Sequence, residues 1–143
     1  MKTILLLLVI NVILFSAPPK SYKRGYELYG QKKYDQSIEM FSKLLEKYPE
    51  SFYAGNAYYW IGMIDFEREN YNSSILNFEK VLTCKNKWKF ADALLGIAHC
   101  YERKNDKDKA DIHYKEIYSL YKKSKKLVGE NVLKIVKSKL GIQ

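Results

Sequence analysis

Cysteine and histidine are scarce in this chain of 143 residues, which holds only two of each. His99 and His113 do not form an i, i+4 metal pair, and the two cysteines do not form a C-x2-C ligand set. The sequence also lacks a glycine-rich phosphate loop, a nucleophile elbow and a zinc-protease signature. We therefore expect no catalytic residues, no metal site and no cofactor.

Long hydrophobic runs are also absent, apart from Ile4–Phe15, which only Asn11 interrupts. A helix that spans a bilayer needs roughly 20 apolar residues, so this run is too short. It follows Lys2 and precedes a small-residue exit, which is typical of a secretory signal over residues 1–17. A buried or amphipathic first helix is the alternative, but the unbroken apolar face argues against amphipathicity. We expect export to the periplasm, with the protein peripheral to the outer or inner membrane.

The two cysteines, Cys84 and Cys100, leave the apolar run without a lipoprotein cysteine, which excludes lipidation of that kind. A pair of cysteines in an exported chain suggests a disulfide. However, the predicted antiparallel helices separate the two residues by more than the roughly 7 Å between Cα atoms that a disulfide allows. We expect two independent, mostly buried thiols.

One pattern occurs three times. Its copies are Gly25-x3-Tyr29-x4-Tyr34-x2-Ser37-x3-Phe41, then Gly62-x3-Phe66-x4-Tyr71-x2-Ser74-x3-Phe78, and then Ala98-x11-Ala110-x3-Tyr114. The anchors Gly25, Gly62 and Ala98 lie 37 and then 36 residues apart. Self-similarity at such a period indicates a solenoid of stacked helix pairs. The apolar spacing predicts the pairs at about 22–30 with 34–48, 52–66 with 71–82, and 90–101 with 108–121, and one more helix that stops at Gly141.

Polar residues around the second predicted turn lead to two smaller expectations. Asn72-Ser73-Ser74 is a formal glycosylation sequon, but its place at a helix start favours a capping role. Asp65 and its neighbours Glu67 and Glu69 are assigned to a solvated turn.

The repeated residues resemble the tetratricopeptide repeat (TPR), in which small residues let paired helices touch and aromatics fill the space between pairs. Pro49, at the end of the first copy, also fits that pattern. The resemblance covers roughly residues 20–121. It implies an all-α, right-handed solenoid of three helix-turn-helix repeats, at about 20–52, 53–88 and 89–121. Residues 122–143 would then be a basic linker and a capping helix.

The resemblance also implies a concave groove, because the first helix of each TPR pair faces it. The residues that would bind a partner there are Tyr22, Tyr26, Tyr29, Tyr59, Met63, Phe66, His99 and Arg103. Exposed aromatic strips usually mark interaction surfaces. The alternative is that the N-terminal segment or self-association covers these side chains.

A narrower resemblance is carried by the run 55–62 (GNAYYWIG) and by Ala91–Leu95. These segments are similar to the periplasmic TPR coordinator of the Tol-Pal system and to the TPR lipoprotein of the outer-membrane β-barrel assembly machine. Both resemblances imply a cell-envelope role. The expected function is a non-enzymatic adaptor that binds an envelope protein or peptide segment, and the first alternative is an accessory subunit of outer-membrane protein assembly.

Basic residues accumulate towards the C-terminus, where residues 83–143 hold 15 basic and 7 acidic side chains. Such asymmetry can mark an anionic membrane surface, an acidic partner or nucleic acid, while the alternative is a solvated helix face. The lysines are not interleaved with base-stacking aromatics or joined by arginines, which argues against nucleic acid. Binding to an anionic surface or to nucleic acid through this region is the minor alternative.

Overall fold

Seven α-helices follow one another along residues 18–143, which a computed structural model describes. They are α1 (Lys20–Gly30), α2 (Tyr34–Lys47), α3 (Ala54–Glu67), α4 (Tyr71–Thr83), α5 (Phe90–Arg103), α6 (Lys107–Lys123) and α7 (Glu130–Leu140). A short 3₁₀ turn, Lys125–Leu127, precedes α7. The predicted secretory signal, residues 1–17, lies outside the described residues. None of the helices in residues 18–143 has the length and apolar character needed to cross a membrane.

The helices form three antiparallel pairs, α1 with α2, α3 with α4 and α5 with α6, and each pair stacks on the next. The first helices also touch one another, α1 against α3 and α3 against α5. Helix α3 lies at the centre of this stack, and its buried residues surround its axis, as expected for a helix with neighbours on several sides. The predicted all-α solenoid of three helical hairpins with one further C-terminal helix is confirmed.

Within the first two pairs, the helices approach each other over a glycine. A Cβ on Gly25 would lie 2.8 Å from the ring of Phe41, and one on Gly62 would lie 2.9 Å from the ring of Phe78. At each contact a serine of the second helix donates a hydrogen bond to the glycine carbonyl: Ser37 to Gly25 and Ser74 to Gly62, both at 2.7 Å. The spacing of small residue, serine and aromatic in the sequence therefore corresponds to a physical contact.

The turn inside each pair has the same backbone geometry. Lys32, Glu69 and Asn105 occupy the left-handed region, with φ of 57°, 60° and 59°. The next N–H in each turn donates to a carbonyl five residues back: Lys33 to Leu28, Asn70 to Asp65 and Asp106 to Tyr101, at 2.8–2.9 Å. This hydrogen bond closes a left-handed helix end of the Schellman type.

Asp65 is buried, with 8% of its surface exposed, so its assignment to a solvated turn is wrong. Its carboxylate accepts hydrogen bonds from Ser73 Oγ at 2.7 Å and Asn77 Nδ2 at 2.9 Å, which join α3 to α4. The expected capping role of residues 72–74 is also wrong, because Ser73 and Ser74 donate across to α3 and Asn72 accepts from Lys104. These side chains face the neighbouring helices and not the orphan amides of α4.

Both cysteines are free thiols. Cys84 is half-buried just after α4, where Sγ donates to the carbonyl of Lys80 at 3.3 Å. Cys100 is buried in α5, and its Sγ donates to Ser74 Oγ at 3.3 Å. Burial raises the pKa of both thiols, so neither is an activated thiolate at neutral pH.

The C-terminal helix α7 covers the third pair. Val132 and Val136 of α7 lie in the same buried cluster as Leu94 of α5 and Tyr114 of α6. Lys139 of α7 forms an ion pair with Glu102 at the end of α5, with 2.5 Å between Nζ and Oε1. Such a helix seals the exposed end of a repeat stack, which is the structural role that a terminal cap requires.

Candidate binding surface on the first helices

The predicted binding residues of α1 and α3 are spaced at three or four positions, so each set lies on one face of its helix. Because α1 and α3 are neighbours in the stack, the two sets can form one surface. We call the residues Tyr22, Tyr26, Tyr29, Tyr59, Trp60, Met63 and Phe66 the aromatic strip. Trp60 belongs to it although the sequence analysis did not select it.

Trp60 is the residue that joins the two helices. Its ring centroid lies 5.0 Å from that of Tyr26, 4.8 Å from that of Tyr29 and 5.2 Å from that of Tyr59. Its Nε1 donates a hydrogen bond to the hydroxyl of Tyr22 at 3.3 Å. A large side chain at this place is not part of the TPR pattern, so repeat spacing could not find it. Its rarity was the available signal, since the chain holds only two tryptophans.

Exposure differs among the members of the strip. Tyr26 is 51% exposed, whereas the other members are half-buried. Tyr22 packs against Phe41 and Tyr53, with ring centroids 5.9 and 5.0 Å apart, and Tyr59 packs against Phe78 at 5.7 Å. The half-buried members therefore contribute to packing as well as to the surface.

Two phenols of the strip, those of Tyr59 and Tyr29, remain protonated at neutral pH. Burial, together with the nearby Asp92 carboxylate, raises the pKa of Tyr59 far above its ordinary value. Burial also raises the pKa of Tyr29, with Glu67 adding to the effect. These hydroxyls can thus donate as well as accept hydrogen bonds at neutral pH.

Two cations lie against aromatic faces of the strip. Arg103 at the end of α5 places its guanidinium carbon 5.8 Å from the ring centroid of Phe66. Lys89, just before α5, places Nζ 4.8 Å from the ring centroid of Tyr59. Both distances fall within the range of cation–π attraction. Arg103 thus borders the aromatic strip.

His99 has a different environment. It is half-buried, and its ring centroid lies 6.5 Å from that of Tyr114 of α6. Burial lowers the pKa of His99, and the charges of Lys139 and Arg103 lower it further, against the opposing effect of Glu102. His99 therefore contacts the core side of the third pair, near the docking site of α7. In residues 18–143, no three His, Cys, Asp or Glu side chains gather in a way that could hold a metal ion.

The tetratricopeptide-repeat family model matches residues 21–51 and 92–124. The chain carries tetratricopeptide repeats. This repeat is typically an interaction module without catalytic chemistry, and it forms extended surfaces that bind other polypeptides.

One stretch of 47 residues is 40% identical to the cell division coordinator CpoB of Pseudomonas putida. It covers 33% of this chain but only 18% of that protein, so the likeness concerns a small part of the relative. Among solved structures, the N-terminal domain of stress-induced protein-1 (STI-1) from C. elegans superposes with a TM-score of 0.66, over 83% of this chain and 91% of that one. MamA superposes with a TM-score of 0.61, over 85% and 67% respectively. Both structures are 18% identical to this chain and show the fold alone.

Proposed function

We propose that this protein is a non-enzymatic adaptor of the bacterial cell envelope that holds a segment of a partner protein against the aromatic strip. One observation carries the proposal: the rings of α1 and α3 form a continuous surface, joined by Trp60, on the first helices of two neighbouring repeats. TPR first helices face the concave side of the solenoid, where partner segments bind.

The composition of the strip suits a binding hot spot. Tyrosine and tryptophan supply large contact areas, and their few rotatable bonds limit the entropy lost on binding. Packing around Trp60 already holds the half-buried rings in place, which lowers the cost of binding further. The cation of Arg103 at one border favours a partner segment that combines apolar side chains with an acidic residue.

Tyr26 is the best residue for a test, because it is half exposed and its ring packs on Trp60 at the surface of the strip. A photo-crosslinking amino acid at Tyr26 should capture a partner polypeptide in cells, which mass spectrometry then identifies. Leu76 and Ile112, each 60% exposed on second helices, are matched control positions and should give no such product.

The affinity of the captured partner gives a quantitative test. Tyr26→Ala should weaken binding by about 2 kcal/mol, roughly thirtyfold in Kd, if Tyr26 lies at the centre of the contact. Its thermal melting should change little, because half of the side chain is already exposed. Crosslinks from Tyr26 only to a second copy of the chain, or to residues 1–17, would contradict the adaptor function.

The envelope location is supported by the signal-like pattern of residues 1–17 and by the local likeness to the cell division coordinator CpoB. N-terminal sequencing of the protein from an envelope fraction should give a start between Pro18 and Tyr22. A full-length product in the cytoplasm would refute the envelope location. It would not decide the binding proposal, which the crosslinking at Tyr26 tests separately.

A further inference from the structure

A second exposed aromatic surface lies far from the intra-pair turns. Seven large hydrophobic residues are exposed in the described part of the chain. Four of them lie in the three loops that follow the second helix of each pair. They are Tyr48 (44% exposed), Phe52 (39%), Trp88 (70%) and Leu127 (39%). We call the three loops, residues 48–53, 84–89 and 124–129, the loop face. Because consecutive helices run antiparallel, these loops share one end of the stack.

Hydrogen bonds anchor the backbone at the most exposed of these residues, Trp88. Trp88 packs edge-to-face on Phe52, with ring centroids 4.9 Å apart. Asn86 holds both loops, since its Nδ2 donates to the carbonyl of Phe52 at 2.8 Å and its Oδ1 accepts from the N–H of Trp88 at 3.0 Å. The backbone of Trp88 is thus tied to the neighbouring loop, and its indole is largely exposed to solvent.

The loop face is also strongly basic. It holds five lysines, at positions 85, 87, 89, 125 and 126, against one carboxylate, Glu50. Lys122 and Lys123, in the last turn of α6, adjoin it. The turns at the other end, residues 31–33, 68–70 and 104–106, hold four basic and two acidic side chains and, among the described residues, none of the exposed large hydrophobics.

We propose that the loop face docks on the surface of an anionic phospholipid membrane. Tryptophan and tyrosine favour the interface between headgroups and acyl chains, and clustered lysines are attracted to anionic headgroups. The exposed indole of Trp88 and the lysines of the loop face present both features at one end of the stack.

Nucleic acid is the less favoured occupant, because the loop face contains no arginine and its aromatic contacts, Phe52 with Tyr53 and with Trp88, are edge-to-face and not parallel stacks. The proposal does not rest on a partner bound at the aromatic strip, although Tyr53 and Lys89 of the loop face touch Tyr22 and Tyr59 of that strip.

The two tryptophans provide matched local reporters in the full-length chain. Trp60→Phe leaves Trp88 as the only tryptophan, and Trp88→Phe leaves Trp60. With phosphatidylglycerol vesicles, Trp88 emission should shift to shorter wavelength, whereas Trp60 emission should stay unchanged. Phosphatidylcholine vesicles should give a smaller shift of Trp88, because they lack the anionic headgroups that attract the lysines. Circular dichroism of each variant checks that it is folded.

Charge variants complete the test. Replacing Lys85 and Lys87 with glutamine should raise the phosphatidylglycerol concentration needed for half of the Trp88 shift by about fivefold per lysine. Lys32 and Lys33, at the opposite end, form a matched control pair whose replacement should do much less. The proposal fails if Trp88 does not respond to phosphatidylglycerol or if both lysine pairs act equally. It also fails if a single-stranded oligonucleotide shifts Trp88 more strongly than the vesicles do.

Discussion

The first two helix pairs and the third pair bring their helices together with different chemistry. In α1–α2 and α3–α4, a serine hydroxyl donates to a glycine carbonyl on the facing helix. In α5–α6 the corresponding residues are Ala98 and Ala110, which are buried in one apolar cluster. That cluster also contains residues of α7, which no other pair contacts to the same extent.

The difference shows that one helix-to-helix spacing can be set in two ways. A bare glycine lets an aromatic ring lie on the backbone, and the serine then satisfies a second lone pair of the glycine carbonyl. Two alanines reach a similar approach through methyl contacts alone. The third pair can lack the hydrogen bond because α7 adds apolar burial at that end of the stack.

The largest effect is expected from exchanging the small residues. Gly62→Ala would place its Cβ 2.9 Å from the ring of Phe78, and Gly96 leaves the ring no space on its other side, since a Cβ there would lie 2.5 Å away. Overpacking outweighs the gain in helix propensity, so the free energy of unfolding should fall by roughly 1–2 kcal/mol. The reverse exchange in the third pair, Ala98→Gly, should lower the free energy of unfolding by about 1 kcal/mol, because glycine has a lower helix propensity than alanine. Urea unfolding measures both, and a Gly62→Ala protein as stable as the parent would show that the contact is looser than described.

A smaller effect is expected from the hydroxyls. Ser74→Ala removes the bond to the Gly62 carbonyl and the acceptor of the Cys100 thiol, and should lower the free energy of unfolding by about 1 kcal/mol. Ala110→Ser introduces the same group in the third pair, twelve residues after Ala98 just as Ser74 follows Gly62. If the new hydroxyl donates to the Ala98 carbonyl in the same way, the free energy of unfolding should stay within about 0.5 kcal/mol of the parent. Equal losses from both substitutions in thermal unfolding would mean that the serine acts through its size and not through its hydrogen bond.

The smallest effect is expected from the left-handed turn residues. Lys32→Gly and Glu69→Gly should each raise the free energy of unfolding by about 0.5–1 kcal/mol, since glycine has no steric cost at positive φ. Asn105→Gly in the third pair should raise the free energy of unfolding by less, because asparagine adopts the left-handed conformation more readily than lysine or glutamate does. Gln31, with φ of −85°, is the control position, and glycine there should not stabilise the protein. Chemical denaturation compares the four variants.

The repeat period was sufficient to predict the helix pairs, because aromatic and small residues recur wherever two paired helices touch. The starts of the six paired helices were placed within about two residues, and Gly141 does end the last helix, with φ of 67°. The left-handed turns were less visible, since lysine and glutamate carry no sequence signal for positive φ, and of the three residues only Asn105 does.

Contacts between different pairs were the least predictable feature. Trp60 joins α1 to α3, and Gly96 of α5 receives the ring of Phe78 from α4. A pattern read along one repeat contains no information on how repeats rotate against each other. Two contacts within pairs were also missed, those of Asp65 with Ser73 and Asn77 and of His99 with Tyr114, because Asp65 and His99 lie outside the repeated small and aromatic positions.

The stacking order determines which end of the fold unfolds locally first. In residues 18–143, α1 and α2 have the rest of the stack on one side only, whereas α5 and α6 lie between α4 and α7. In a linear array of this kind, local unfolding begins at the less supported end, so amide hydrogens of the first pair should exchange with solvent before those of the third. A partner that spans α1 and α3 would hold this least supported pair against the rest of the stack. Its binding should therefore slow the exchange of amide hydrogens at the N-terminal end of the fold.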